Sequence, residues 1–160
     1  MNSGPNIFLV LDNLRSMENV GSIFRTADAA GVKKIFLCGI TPRPPRKEID
    51  KAALGAVDFV EWEYTDSTKL KVESLKSKGI RIIALEQDKR SIPYYSLNAK
   101  YKSLTPGDCF AIVVGSETDG ISKEVLDLAD TIIEIPMHGQ KNSLNVAVAT
   151  GIALFSLTEN

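Results

Sequence analysis

Continuous apolar runs constrain this chain most. Ile7–Leu11 (IFLVL) has no polar position, as expected for a strand covered on both faces. Arg81–Leu85 (RIIAL) and Phe110–Val114 (FAIVV) are two more apolar strands, and Lys34–Cys38 and Thr131–Ile135 read as strands as well. Val57–Tyr64 (VDFVEWEY) alternates apolar and polar residues, as an edge strand does. Helical patterns fill the intervals: Asn19–Ala30, Glu48–Leu54, Lys69–Lys78, a segment capped by Ser122 that runs to about Leu128, and Leu144–Leu157. Gly31 and Gly79 supply stops for two of them. Strands alternating with helices predict an α/β fold, a mostly parallel sheet with helices on both faces.

The 160 residues suit a single compact domain over 1–160, and 44% hydrophobic residues supply a sizeable core. A net charge of −1 excludes a globally basic nucleic-acid binder but leaves room for a local patch. Lys33, Lys34, Arg43, Arg46, Lys47 and Lys51 form such a cluster, read either as a solvated face or as phosphate contacts. No run is long enough to cross a bilayer and no charged-then-apolar leader opens the chain, so a cytoplasmic protein is expected. Cys38 and Cys109 lack metal-ligand spacing and read as reduced core thiols. Gly39–Pro45 and Asp88–Pro106 show no clear period and are read as loops.

In an open parallel sheet, ligands bind beyond the carboxyl ends of the strands. Three such ends here carry unusual residues. After the first strand comes Glu18-Asn19-Val20-Gly21, with Arg25 six residues beyond Asn19. Asn19 is a good N-cap, and Arg25 taken alone reads as a solvated helical residue. After Phe110–Val114 comes Gly115-Ser116-Glu117-Thr118-Asp119-Gly120. Glu117 can accept from free amides there or hold a cationic side chain over a pocket. After Thr131–Ile135 comes Pro136-Met137-His138-Gly139, and Ser143-Leu144-Asn145 opens the final helix. Ser143 reads as an N-cap. Asn145 just inside the helix needs a specific partner for its amide. His138 reads as a plain loop residue.

Together these segments resemble the three motifs of the SpoU/TrmH family of RNA ribose methyltransferases, within the knotted SPOUT superfamily. The first is similar to Asn-x-Gly-x-x-x-Arg-Thr-Ala, here Asn19, Gly21, Arg25, Thr26 and Ala27. The second is similar to Gly-(Asn/Ser)-Glu-x-x-Gly, here Gly115, Ser116, Glu117 and Gly120. The third, Ile-Pro-Met-x-Gly-x-x-x-Ser-Leu-Asn-Val-Ala, matches from Ile135 through Ala147 with nothing missing.

The resemblance implies a deep C-terminal trefoil knot, an exception to the usual avoidance of knots. It implies a cup for S-adenosylmethionine made by Leu85, Gly115, Ile135, Met137, Ser143 and Leu144, with no metal. It makes Arg25 the key catalytic residue, surrounded by Asn19, Glu117, Ser143 and Asn145. It implies transfer of a methyl group to a ribose 2′-hydroxyl of tRNA or rRNA by a homodimer that lacks the N-terminal RNA-recognition extension of many relatives. The absence of Gly-x-Gly-x-x-Gly after the first strand argues against a Rossmann-type cofactor site. A rival reading is a knotted RNA-binding or assembly module that keeps the cup without the catalysis.

Overall fold

The computed structural model describes residues 4–101 and 105–158. Seven strands form one sheet: β1 (Asn6–Asp12), β2 (Lys34–Cys38), β3 (Glu61–Thr65), β4 (Arg81–Leu85), β5 (Ile92–Pro93), β6 (Cys109–Gly115) and β7 (Thr131–Glu134). Their order is β3-β2-β1-β6-β4-β7-β5, and each described neighbouring pair runs parallel. The α/β, parallel-sheet expectation is therefore met. All strands carry their carboxyl ends to the same edge, which is where a ligand site can form.

The strand side chains divide between two cores. Leu9, Leu11, Ile35, Leu37, Ile83, Ile112 and Val114 face one side of the sheet. Helices α1 (Met17–Ala30) and α6 (Val146–Thr158) cover that side with Val20, Ile23, Phe24, Ala27, Ala153, Leu154 and Leu157. Val10, Phe36, Cys38, Ile82, Ala84, Ala111 and Val113 face the other side. There α3 (Thr68–Ser77) and α5 (Lys123–Leu126) supply Val72, Leu75, Val125 and Leu126. Two-sided burial is the reason the central strands read as unbroken apolar runs.

Several boundaries move. The helix expected from Asn19 starts at Met17, because Ser16 caps it: Ser16 Oγ accepts from Asn19 N at 3.1 Å. Asn19 is thus not the cap, and its side chain is free for other partners. The strand expected over Val57–Tyr64 is a 3₁₀ turn at Ala56–Asp58 followed by β3, which does lie at the sheet edge. The Asp88–Pro106 stretch contains β5, a 3₁₀ turn at Tyr94–Ser96 and the short α4 (Leu97–Lys100). Two residues of strand give no period to detect, and Pro93 suits an outer strand. Residues 102–104 of that stretch lie outside the described residues. The helix after Ser122 stops at Leu126, and Ser122 makes no side-chain cap bond. Cys38 is buried, and burial pushes its thiol up to about 12, which keeps it protonated. Cys109, expected in the core, is only half-buried at the start of β6.

Gly21 has a packing role. Helix α2 (Lys47–Ala53) crosses α1 so closely that a Cβ at Gly21 would lie 2.4 Å from the Ile49 carbonyl oxygen and 2.7 Å from Ala52 Cβ. Backbone is the obstacle, so a neighbouring rotamer cannot relieve it. Gly21→Ala is expected to destabilise the fold by about 2 kcal/mol, overpacking outweighing the gain in helix propensity. Thermal melting should show a drop of roughly 4–8 °C. An unchanged melting temperature would contradict this account of the motif glycine.

Candidate active site

The buried carboxylate of Asp12, 2% exposed at the end of β1, organises the carboxyl edge of the sheet. It accepts from Thr68 Oγ1 at 2.6 Å and from Ser122 N at 3.2 Å, tying α3 and the loop after β6 to the central strand. A second carboxylate works in parallel. Glu86, just past β4, accepts from Ile121 N at 2.9 Å and from Gln87 N at 3.1 Å. Residues 115–122 are thereby held by acceptors at the ends of the two strands that flank β6.

Within that loop, Gly120 N donates to the Ser116 carbonyl at 2.8 Å and Asp119 N to Ser116 Oγ at 3.0 Å. Gly120 has φ +65°, a conformation that favours glycine, and a Cβ there would meet Glu86 Oε2 at 2.5 Å. A Cβ on Gly115 would lie 2.4 Å from the Gly120 carbonyl carbon and 2.6 Å from Ile121 N. Two of the motif glycines therefore make the turn compact.

A cleft of about 510 Å³ opens beside this turn, within the range of small-molecule sites. It lies among the ends of β4, β6 and β7 and the segment before α6. Leu85, Gly115, Ile135, Met137, Ser143 and Leu144 all line it, so the six residues expected to form a cup do share one cavity. Glu86 and Gln87 line it too, and neither was expected. Their position directly after the apolar run ending at Leu85 was the available signal. Gln87 Nε2 donates to the Asn142 carbonyl at 2.5 Å, which joins the β4 end to the last loop.

Beside the cleft, in a groove between α1 and α6 that shares Glu117 with it, Asn145 Nδ2 donates to Asn19 Oδ1 at 3.1 Å and Asn19 Nδ2 reaches Glu117 Oε1 at 3.5 Å. Glu117 Oε1 also accepts from Val146 N at 3.3 Å, beneath the positive end of the α6 dipole. Asn145 Oδ1 accepts from Ala147 N at 2.8 Å and Val148 N at 3.3 Å. Asn145 therefore caps α6 from outside the helix, which starts at Val146 rather than Leu144, and Ser143 is an exposed loop residue. One Asn does two jobs: its oxygen caps and its amide nitrogen binds Asn19.

Arg25 is not part of this gathering. It is exposed on α1, has no polar partner among the described residues, and lines neither this cleft, nor the groove between α1 and α6 bordered by Asn19, Asn145 and Phe155, nor the slot bordered by Arg15, Ser116 and Val146. The basic cluster is also dispersed: Lys34 pairs with Glu63 at 3.0 Å, and the Arg43 guanidinium stacks 4.0 Å from the Tyr64 ring centre. His138 is an exposed loop residue. Among the described residues, no group of three or more His, Cys, Asp or Glu is placed to hold a metal ion, and no helix is long and apolar enough to cross a membrane.

Residues 6–155 match the profile of the SpoU rRNA Methylase family. A Staphylococcus aureus protein assigned to the TrmH family of tRNA/rRNA methyltransferases is 32% identical over 154 residues, 96% of this chain and 59% of that protein. The chain thus spans under two thirds of the length of the curated relatives it matches. A crystal structure of an AdoMet-bound rRNA methyltransferase from Sinorhizobium meliloti superposes with a TM-score of 0.86 at 29% identity, over 98% of this chain and 57% of that one. A structure concerned with 2-OH methylation of C/U34 on tRNA superposes with a TM-score of 0.76 at 27% identity, over 96% of this chain and 94% of that one. With its parallel sheet, its three motifs at the strand ends and a profile match over nearly its whole length, the chain belongs to the SpoU methylase family.

Proposed function

We propose that this protein transfers a methyl group from S-adenosylmethionine to a ribose 2′-hydroxyl of RNA. The carrying observation is the cleft that unites Leu85, Gly115, Ile135, Met137, Ser143 and Leu144, with Glu117 in its wall hydrogen-bonded to Asn19, which in turn accepts from Asn145, in the adjoining groove. The lining suits the cofactor: apolar side chains such as Leu85, Ile135 and Leu144 for an adenine face, and carboxylates such as Glu86 and Glu134 for its positive charges. When bound, S-adenosylmethionine supplies the electrophilic methyl carbon. Glu117 and Asn145 orient the groups around the nucleophile, and Asn19 couples them. A guanidinium stays protonated, so Arg25 stabilises negative charge developing on the 2′-oxygen, the hydroxyl proton passing to solvent as the oxygen–methyl bond forms and the methyl–sulfur bond breaks to leave S-adenosylhomocysteine.

Arg25 reaches the reaction from a second copy of the chain. Two observations support a homodimer. Arg25 stands exposed and outside the clefts of its own chain. Helix α6 is apolar on its outer side as well, with Val148 52% and Phe155 39% exposed, beside a cleft that α1 shares. A trefoil knot is supported by the path after β7. The segment lies against the ends of β4 and β6, and α6 then returns to pack on α1. The tRNA-related structure matched over 94% of its own length favours tRNA as the first substrate to test. A cytoplasmic location belongs to the same proposal, supported by the RNA substrate it assigns.

Titration with S-adenosylhomocysteine by calorimetry should show one site per chain. Incubation with labelled S-adenosylmethionine and unfractionated tRNA or rRNA should then yield dinucleotides resistant to alkali, because a 2′-O-methyl group blocks cleavage at the adjacent phosphate. Label confined to bases would overturn the ribose assignment. Tight S-adenosylhomocysteine binding without transfer to either RNA would favour the assembly-module reading.

A further inference from the structure

RNA is a polyanion, yet the cleft and slot at the carboxyl edge of the sheet and the adjoining α1–α6 groove are lined by acids. Glu18, Glu86, Glu117, Asp119 and Glu134 all border them. Among the described residues lining these three clefts, Arg15 is the only Lys or Arg. Its Nη2 lies 2.8 Å from Asp119 Oδ2, and both side chains are 63% exposed. We propose that Arg15 is the phosphate-binding residue of the site: it grips the phosphodiester beside the target ribose, and Asp119 occupies its guanidinium until RNA arrives. This inference rests on the RNA-modifying reading above.

The mounts of the two side chains are firm. Leu14, 1% exposed, anchors the residue before Arg15, and its amide donates to Thr41 Oγ1 at 3.0 Å. Ser16, the residue after it, caps α1. Opposite, the Asp119 amide is fixed by Ser116 Oγ, on a side chain itself only 9% exposed. The backbones are fixed while the charged ends stand in water. Ion pairs that exposed contribute little, because solvent and salt screen them and ordering two long side chains costs entropy. A phosphodiester offers the guanidinium two parallel charge-assisted hydrogen bonds. Exchange of the carboxylate for a phosphate therefore meets little resistance.

The location serves the reaction. A slot of about 170 Å³ is bordered by Arg15, Asn19, Ser116, Glu117 and Val146. A phosphate held by Arg15 lies beside the Asn19–Glu117 pair, so the grip sets where the neighbouring ribose falls. Arg15 is a positioning residue in this scheme. It does not border the larger cleft assigned to the cofactor.

The test is equilibrium binding of unfractionated tRNA to the full chain, with S-adenosylhomocysteine present and salt varied. Arg15→Ala should raise Kd roughly tenfold, the loss of one charged hydrogen-bonding group. It should also reduce the salt dependence by about one phosphate contact. Arg15→Lys should recover part of the affinity. Asp119→Asn should act in the opposite direction and lower Kd by about threefold, because it frees the guanidinium from a weak competitor. Weaker tRNA binding in both Arg15→Ala and Asp119→Asn would identify the pair as a structural strap and overturn the proposal. So would an Arg15→Ala variant with wild-type affinity, or one that has lost S-adenosylhomocysteine. A wild-type protein that binds tRNA but transfers no methyl group sinks the methyltransferase reading alone, since the comparison among variants is read by binding.

Discussion

Arg25→Ala is expected to slow methyl transfer by roughly 100- to 1000-fold, the cost of removing one preorganised donor from a developing oxyanion. S-adenosylhomocysteine affinity should be unchanged, because Arg25 does not line the cofactor cleft. Stability should be unchanged too, since the side chain is exposed and makes no described polar contact. Six residues of helix separate Arg25 from Asn19, about 9 Å along the axis. That separation agrees with the absence of Arg25 from its own chain's clefts. Mixing chains carrying Arg25→Ala with chains carrying Asn145→Ala tests the origin of the guanidinium. If Arg25 acts across a two-fold dimer, mixed dimers contain one intact pocket, and random pairing restores roughly a quarter of wild-type activity. If Arg25 acts within its own chain, mixing restores nothing. Near-normal turnover in Arg25→Ala itself would remove the residue from the mechanism.

The second large effect belongs to Gly115. Gly115→Ala places a methyl group 2.4 Å from the Gly120 carbonyl carbon and 2.5 Å from its oxygen. Both obstacles are backbone atoms of the same tight turn, so the turn must open. Opening it pulls Ile121 N from Glu86 and displaces Glu117 from Val146 N and Asn19. A displacement of about 1 Å at a catalytic group costs on the order of 100-fold in kcat/KM. The cofactor cleft changes with it, so weakened S-adenosylhomocysteine binding should accompany the kinetic loss. The cost to folding is smaller, about 2 kcal/mol, because the rest of the sheet is untouched. A Gly115→Ala protein with normal cofactor affinity would show that the turn tolerates side-chain bulk.

The site was legible in the sequence to an uneven degree. Glycines at 115 and 120 and the Ser-Leu-Asn start near α6 stood at strand ends, where a parallel sheet offers its clefts. The Asn145 partner was required by its poor fit to a helix and is Asn19. Asn19 fits both a cap and a site residue from its sequence context, and the cap role goes to Ser16 three residues earlier, whose hydroxyl has the right reach. Arg15 was passed over, since nothing local distinguishes a loop arginine. Its meaning comes from Asp119, which the fold carries to it from β6.

The layered α/β class is readable from the chain alone, because an apolar run or a helical repeat is a property of adjacent residues and shows through any fold. The chain also marks the strand ends that border the clefts. Which marked residues meet, the place of Glu86 and Gln87 in the cleft wall, and the separation of Arg25 from its companions emerge from the folded arrangement. The reason is physical: a contact between residues distant in the chain depends on strand order and helix crossing. Those are settled by the packing of the two cores as a whole and not by any one segment.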